Sequence, residues 1–156
     1  MKKTKLHVPF FIPWITKSDK DAVMDALDAP ILTVGPKINE FERLFSKFTG
    51  ARYAIGVSNA TTALYLSLKA LGIGSGDEVI IPDITFVATA NAVIHTGATP
   101  VLADVEDDLN ISTESIKKKI TKKTKAILPV HFAGKVCNIR SIKDISKSNN
   151  LLLLED

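Results

Sequence analysis

The stretch Tyr53-Ala54-Ile55-Gly56-Val57-Ser58-Asn59-Ala60-Thr61-Thr62-Ala63-Leu64 decides how the rest of this chain is read. Ile55 and Val57 predict a short buried strand, and Ser58 and Asn59 supply side-chain oxygens that suit a helix cap. Ala63, Leu64, Leu68 and Leu71 then recur at helical spacing until Gly72, a C-terminal stop. Strand, tight polar turn and helix form one unit of an α/β fold. The first turn of such a helix presents unpaired N–H groups at the positive end of its dipole, which suits a phosphate. Thr61 and Thr62 add hydroxyls at the same point. A capped core helix with no ligand is the plain alternative.

Working outward, the same alternation repeats. Glu78 to Ile81, Pro100 to Ala103, Ala126 to Val130 and Leu151 to Leu154 read as strands. Phe86 to His95, Ser112 to Ile120 and the run containing Ile139, Ile142 and Ile145 read as helices between them. With Ala54 to Val57 this makes five strands. Strands apolar throughout, alternating with helices, predict an α/β fold: a mostly parallel sheet with helices on both faces. Ligands in such sheets bind beyond the carboxyl ends of the strands. The candidates on that rim are Ser58 to Thr62, Asp83 to Phe86, Asp104, His131, Glu155 and Asp156.

Residues 1–50 read as a helical lead-in to an α/β core over 51–156, with no domain boundary marked by a linker or repeat. Met1 to Pro13 is irregular, basic first and then apolar through Phe10, Phe11 and Ile12. Ser18 and Asp21 suggest a capping box before a helix with Ala22, Val23, Ala26 and Leu27 on one face. Gly35-Pro36 opens a second helix carrying Ile38, Phe41, Leu44, Phe45 and Phe48, closed by Gly50.

The 156 residues suffice for one sizeable core, and 46% apolar with 24% charged residues argues against disorder. A net charge of +3 does not point to nucleic acid. Lys117, Lys118, Lys119, Lys122, Lys123 and Lys125 lack interleaved aromatics and read as a solvated helix face with its exit loop. Cys137 is the single cysteine, so no disulfide framework or cysteine-rich metal site is expected. No apolar run suits a signal peptide or a membrane span, and a cytoplasmic protein is expected. An apolar strand that closes on Glu155-Asp156 normally leads into a covering helix, so a truncated chain is expected.

Gly72-Ile73-Gly74-Ser75-Gly76-Asp77 follows a helix and precedes a strand, the reverse of a dinucleotide loop, and reads as a turn. His7, His95 and His131 show no metal-ligand spacing. His131 closes a strand on the ligand rim. Asp156 ends a strand facing the crevice, where a ligand with a protonated ring nitrogen would pair with it, a carboxylate at a solvated loop start being the plain alternative. Phe86 follows the turn Asp83-Ile84-Thr85 and offers a wall for the same crevice, a core phenylalanine being the plain alternative. Phosphate site, aromatic wall and ring-nitrogen acid together suit pyridoxal phosphate, whose protonated ring is an electron sink. The lysine that would bind it covalently has no candidate in the pattern.

Val57-Ser58-Asn59-Ala60-Thr61-Thr62-Ala63-Leu64, Gly76-Asp77-Glu78-Val79-Ile80-Ile81-Pro82, Thr85-Phe86-Val87-Ala88-Thr89-Ala90-Asn91-Ala92-Val93, Pro129-Val130-His131 and the closing Glu155-Asp156 resemble the DegT/StrS-type nucleotide-sugar aminotransferases. So do Leu32-Thr33-Val34-Gly35-Pro36, Gly97-Ala98-Thr99-Pro100-Val101 and Thr124-Lys125-Ala126-Ile127. The resemblance runs from about Pro9 to the last residue. It implies the N-terminal part of the large domain of a fold-type-I pyridoxal-phosphate transferase, working as a homodimer on a nucleotide-linked keto-sugar with glutamate as amino donor. By resemblance Ala60, Thr61 and Thr62 lie at the cofactor phosphate, Phe86 stacks on the pyridine and Asp156 pairs with its nitrogen. Thr33 and Gly35 fall in a segment near substrate. Ala60 stands where many members have glycine. The Schiff-base lysine and a smaller C-terminal domain fall beyond Asp156, and neither Lys135 nor Lys143 matches the lysine's motif. A relative with histidine in the lysine's place would be a sugar dehydratase, and a non-catalytic binding module is the reading from a different class.

Overall fold

The computed structural model describes residues 8, 9 and 11–156, so the basic start of the chain, His7 and Phe10 lie outside the described residues. The chain divides into two compact units, Met1–Gly56 and Val57–Asp156.

The described part of the first unit contains helices α1 (Lys17–Leu27) and α2 (Pro36–Thr49). Thr16 caps α1 through a capping box: its hydroxyl accepts the Asp19 N–H at 3.3 Å while the Asp19 carboxylate accepts the Thr16 N–H at 2.7 Å. The expected box of Ser18 and Asp21 is therefore two residues too late. Thr16 lies in extended backbone, as a cap requires, and Ser18 already lies inside the helix. Pro36 at the first position of α2 and Gly50 in the left-handed conformation (φ 73°) bound that helix as expected. Neither helix has a buried residue. Phe41, Leu44, Phe45 and Phe48 on the α2 stripe are all exposed.

The segment expected as the first strand, Ala54 to Val57, is not a strand. Tyr53 is 71% and Ile55 80% exposed, and no strand among the described residues pairs with the segment. Its one fixed backbone group is the Gly56 N–H, bound by the Glu42 carboxylate at 2.7 Å. A β-branched run without a neighbouring edge cannot pair its backbone, and the sheet has four strands rather than five.

The second unit runs α3 (Ala60–Ala70), β1 (Glu78–Pro82), α4 (Val87–His95), β2 (Thr99–Ala103), α5 (Thr113–Lys119), β3 (Thr124–Ile127), α6 (Ile139–Ser148) and β4 (Leu152–Leu153). All pairings are parallel, in the order β2-β1-β3-β4. The side-chain period of two splits the core into two layers. Val79 and Ile81 of β1 point into a cluster with Leu64 and Leu68 of α3 and Ala92 and Val93 of α4. Ile80 points the other way, toward Ile116 of α5 and Ile142 and Ile145 of α6. Helices thus cover both faces, the α/β architecture that the alternation predicted.

Helix-to-strand connections are tight. Leu71 caps α3, Gly72 turns with φ 79°, and the Gly74 N–H is held by the Asp77 carboxylate at 3.0 Å, so the glycine run is a turn and not a phosphate loop. Because every strand is parallel, the ends of β1, β2, β3 and β4 lie along one edge of the sheet. The hydrogen bonds continue past β3 and β4: Pro129 O accepts the Asp156 N–H at 3.0 Å and Asp156 O accepts the His131 N–H at 3.0 Å. Asp156 is fixed on that edge by both its backbone N–H and its carbonyl, which bond to the segment beyond β3.

Candidate functional site

At the start of α3 the Asn59 side chain accepts the Thr62 N–H at 2.8 Å, and the Asn59 carbonyl accepts the Ala63 N–H at 3.1 Å. The N–H groups of Ala60 and Thr61 are left with no acceptor among the described residues. These are the donors an anion needs. The Ser58 hydroxyl donates to the Thr62 hydroxyl at 3.2 Å, and Thr61 and Thr62 open with Tyr65 and His95 onto a cavity of about 340 Å³. Asn59, rather than Ser58, is the cap.

Phe86 is the residue before α4, so the helix begins one residue later than expected, because the backbone of Phe86 is extended (ψ 138°). Its ring is 77% exposed. The plain alternative of a core phenylalanine does not hold, and an uncovered ring at the end of a strand is a platform with one open face.

Asp156 lies across the sheet edge from α4 and is tied to it. The Thr89 hydroxyl donates to one Asp156 carboxylate oxygen, Oδ2, at 2.7 Å, and Thr89 in turn lies 2.8 Å from the Thr85 hydroxyl. Thr89 is 1% exposed and stands one helical turn beyond Phe86. The structure therefore joins Asp156 to the helix that Phe86 opens, while no hydrogen bond among the described residues links Thr61 or Thr62 to either of them. Thr85 and Thr89 went unnoticed in the sequence. Thr85 stands just before α4 and Thr89 in its first turn, and two hydroxyls four residues apart across a helix start were the available signal.

His131 lies on the rim as expected and is fully engaged. Its Nδ1 accepts the Cys137 N–H at 3.2 Å, so Nε2 carries the proton and donates to Glu155 at 3.1 Å. The Cys137 thiol lies 3.4 Å from the same Nδ1, and burial, helped by the Glu155 charge, pushes its pKa upward. Asp104 serves α5: its backbone N–H donates to the Ser115 hydroxyl at 2.9 Å, and that hydroxyl lies 3.3 Å from the Asp104 carboxylate. Lys135 lies 3.0 Å from Asp108, whose carboxyl is held below its ordinary range by hydrogen bonds from Lys135 and then from Asn110.

In the first unit, Thr33 is exposed and Gly35 half-buried, both on a cavity of about 250 Å³ between the end of α1 and the start of α2. Gly35 caps α2 by its backbone, and a side chain there would press on the Ile31 carbonyl at 3.3 Å.

A profile described as the DegT/DnrJ/EryC1/StrS aminotransferase family matches residues 13–156. The spore coat polysaccharide biosynthesis protein SpsC of Bacillus subtilis is 43% identical, the alignment covering 100% of this chain and 40% of that protein. GDP-perosamine synthase of Caulobacter vibrioides is 42% identical over 92% of this chain and 39% of its own length. Among solved structures, NtdA from Bacillus subtilis with bound cofactor PMP aligns with a TM-score of 0.85 at 35% identity, covering 90% of this chain and 34% of that one. The chain spans about two fifths of the length of the curated relatives it matches.

Proposed function

The chain belongs to the DegT/DnrJ/EryC1/StrS aminotransferase family, and on that premise we propose that it is the N-terminal part of a pyridoxal-phosphate enzyme that aminates a nucleotide-linked keto-sugar. Within that reading, the free N–H groups of Ala60 and Thr61 and the hydroxyls of Thr61 and Thr62 take the cofactor phosphate. Phe86 lays its exposed ring on the pyridine face. Asp156, with one carboxylate oxygen bound to Thr89 and the other open, keeps the ring nitrogen protonated. Open N–H donors, an uncovered ring and a half-satisfied carboxylate are the donor set that a phosphorylated cationic pyridine requires, so these residues fit the group. When bound, pyridoxal phosphate supplies an electron sink for the carbon that gains or loses the amino group.

The observation that carries the reading is the Asp156 carboxylate beyond β4, pinned at Oδ2 by Thr89 and with no hydrogen bond to Oδ1 among the described residues. The relatives' names support the substrate class, since one is a GDP-perosamine synthase and another a polysaccharide biosynthesis protein. Glutamate as donor, a homodimer, a cytoplasmic setting and a role in surface polysaccharide or natural-product glycosylation belong to the same proposal. So does a cofactor-linking lysine outside residues 1–156. Thr33 and Gly35 are assigned to the sugar nucleotide on the family pattern. Among the described residues no helix is long and apolar enough to cross a membrane.

The test is uptake of pyridoxal phosphate by the full-length protein, read as cofactor absorbance, followed by borohydride reduction and peptide mapping. The expected result is one tagged lysine outside residues 1–156 and amino transfer to a nucleotide-linked keto-sugar. Failure to take up the cofactor overturns the proposal, and a tagged lysine within residues 1–156 overturns the assignment of the lysine.

A further inference from the structure

The hydroxyl pair of Thr85 and Thr89 has a direction. Thr89 owns a single hydrogen, and that hydrogen is given to Asp156 Oδ2 at 2.7 Å. The 2.8 Å contact with Thr85 can then be filled only by Thr85 donating to the Thr89 oxygen. The chain runs Thr85 O–H to Thr89 Oγ1 and Thr89 O–H to Asp156 Oδ2. Each hydroxyl has one orientation, and the chain ends on an acceptor.

We propose that Thr89, oriented by Thr85, is a positioning residue that holds the Asp156 carboxylate through Oδ2 and so presents Oδ1 to a cationic ring nitrogen. The proposal rests on the pyridoxal-phosphate reading of the site. Thr89 is buried, so no water competes for its hydroxyl. A carboxylate oxygen is a stronger acceptor than a hydroxyl, so the single hydrogen of Thr89 is best used on Asp156. This bond also fixes the rotation of the carboxylate, because Oδ2 is tied to α4 while the Asp156 backbone is tied to Pro129 and His131.

Three variants of the full-length protein separate the hydroxyl from packing. Thr89→Val keeps the shape and removes the donor, Thr89→Ser keeps the donor, and Thr85→Val removes only the outer donor. Titration with pyridoxal phosphate should show about tenfold weaker binding for Thr89→Val, near-parental binding for Thr89→Ser and a smaller loss for Thr85→Val. The pH-dependent absorbance change of the bound cofactor should move to lower pH in Thr89→Val, because its ring nitrogen gives up the proton more readily. Parental affinity and an unmoved absorbance profile in Thr89→Val would overturn the proposal, as would Thr89→Ser behaving like Thr89→Val. A readout free of cofactor completes the test: the unfolding midpoints of Thr89→Val, Asp156→Ala and the double variant. Either substitution breaks the same bond, so the double shift should be smaller than the sum of the single shifts, and strict additivity rejects the coupling. If the parental protein takes up no pyridoxal phosphate, the function reading falls, while this cycle still decides the fate of the hydroxyl chain.

Discussion

Helix α2 carries an apolar stripe and α4 is apolar over most of its length, yet only α4 has buried residues. On α2, Phe45 is 48% and Phe48 87% exposed, and the helix has no buried residue. On α4, Ala92 and Val93 are fully buried and Thr89 nearly so. Helical amphipathicity states that a face is apolar and leaves open what covers it. In the second unit a four-stranded parallel sheet supplies a flat apolar surface with side chains on both faces, and every helix there finds one. In the described part of the first unit, two helices of 11 and 14 residues have no sheet to lie on. The stripe of α2 is a pattern without a partner in its own unit.

The strongest way to break this contrast is to truncate one residue from each stripe. Ile80, fully buried on the central strand β1, faces α5 and α6, and Ile80→Ala should destabilise the second unit by about 3 kcal/mol, since the cavity adds to the lost transfer energy. Phe48→Ala removes a larger side chain and should change stability by less than about 0.5 kcal/mol, because its ring is already in water. Denaturant unfolding followed by far-ultraviolet circular dichroism measures both. Equal losses would mean that the α2 stripe is covered in solution.

The same contrast governs what was legible in the sequence. Local chemistry was readable wherever it acts locally. Gly35-Pro36 opened α2, Gly50 and Gly72 stopped their helices, and short apolar runs marked β1, β2 and β3. Ala54 to Val57 failed because a strand is a relation with a neighbour, and β-branched residues at 55 and 57 cannot show whether an edge is available. Of the candidate site, Phe86 and Asp156 are proposed from their places beyond strand ends. Thr89 is not, since its value lies in a bond spanning 67 residues of sequence, and the spacing from Thr85 signals a pair of hydroxyls without the carboxylate they serve.

Helix caps sharpen the contrast at a smaller scale. Asn59→Ala removes the acceptor of the Thr62 N–H on a helix that is packed on the sheet, and should cost about 1 kcal/mol of the unfolding free energy of the second unit. Thr16→Ala removes the hydroxyl half of the α1 box, on a helix with no buried residue. It should lower the residual helix signal without moving the main transition. A shift of the main transition by Thr16→Ala would show that α1 folds cooperatively with the core.

The smallest expected effect concerns a thiol. Cys137 is 4% exposed, and its pKa is pushed upward by burial and then by the Glu155 charge. The folded chain therefore holds the thiol proton more tightly than the unfolded chain does. That contribution to stability is complete below the ordinary thiol range and is lost as pH rises from there through the raised value. Unfolding midpoints should accordingly fall slightly more between neutral and alkaline pH for the parent than for Cys137→Ala, which has no thiol to titrate. Alkylation gives an independent check, since the reactive species is the thiolate. At mildly alkaline pH, Cys137 should resist iodoacetamide until the second unit unfolds. A thiol introduced by Val23→Cys on α1, at a position 59% exposed, should react at the rate of an open cysteine. Equal alkylation rates for the two thiols in the folded protein would place Cys137 in solvent and remove the core face to which α6 and the end of β3 contribute.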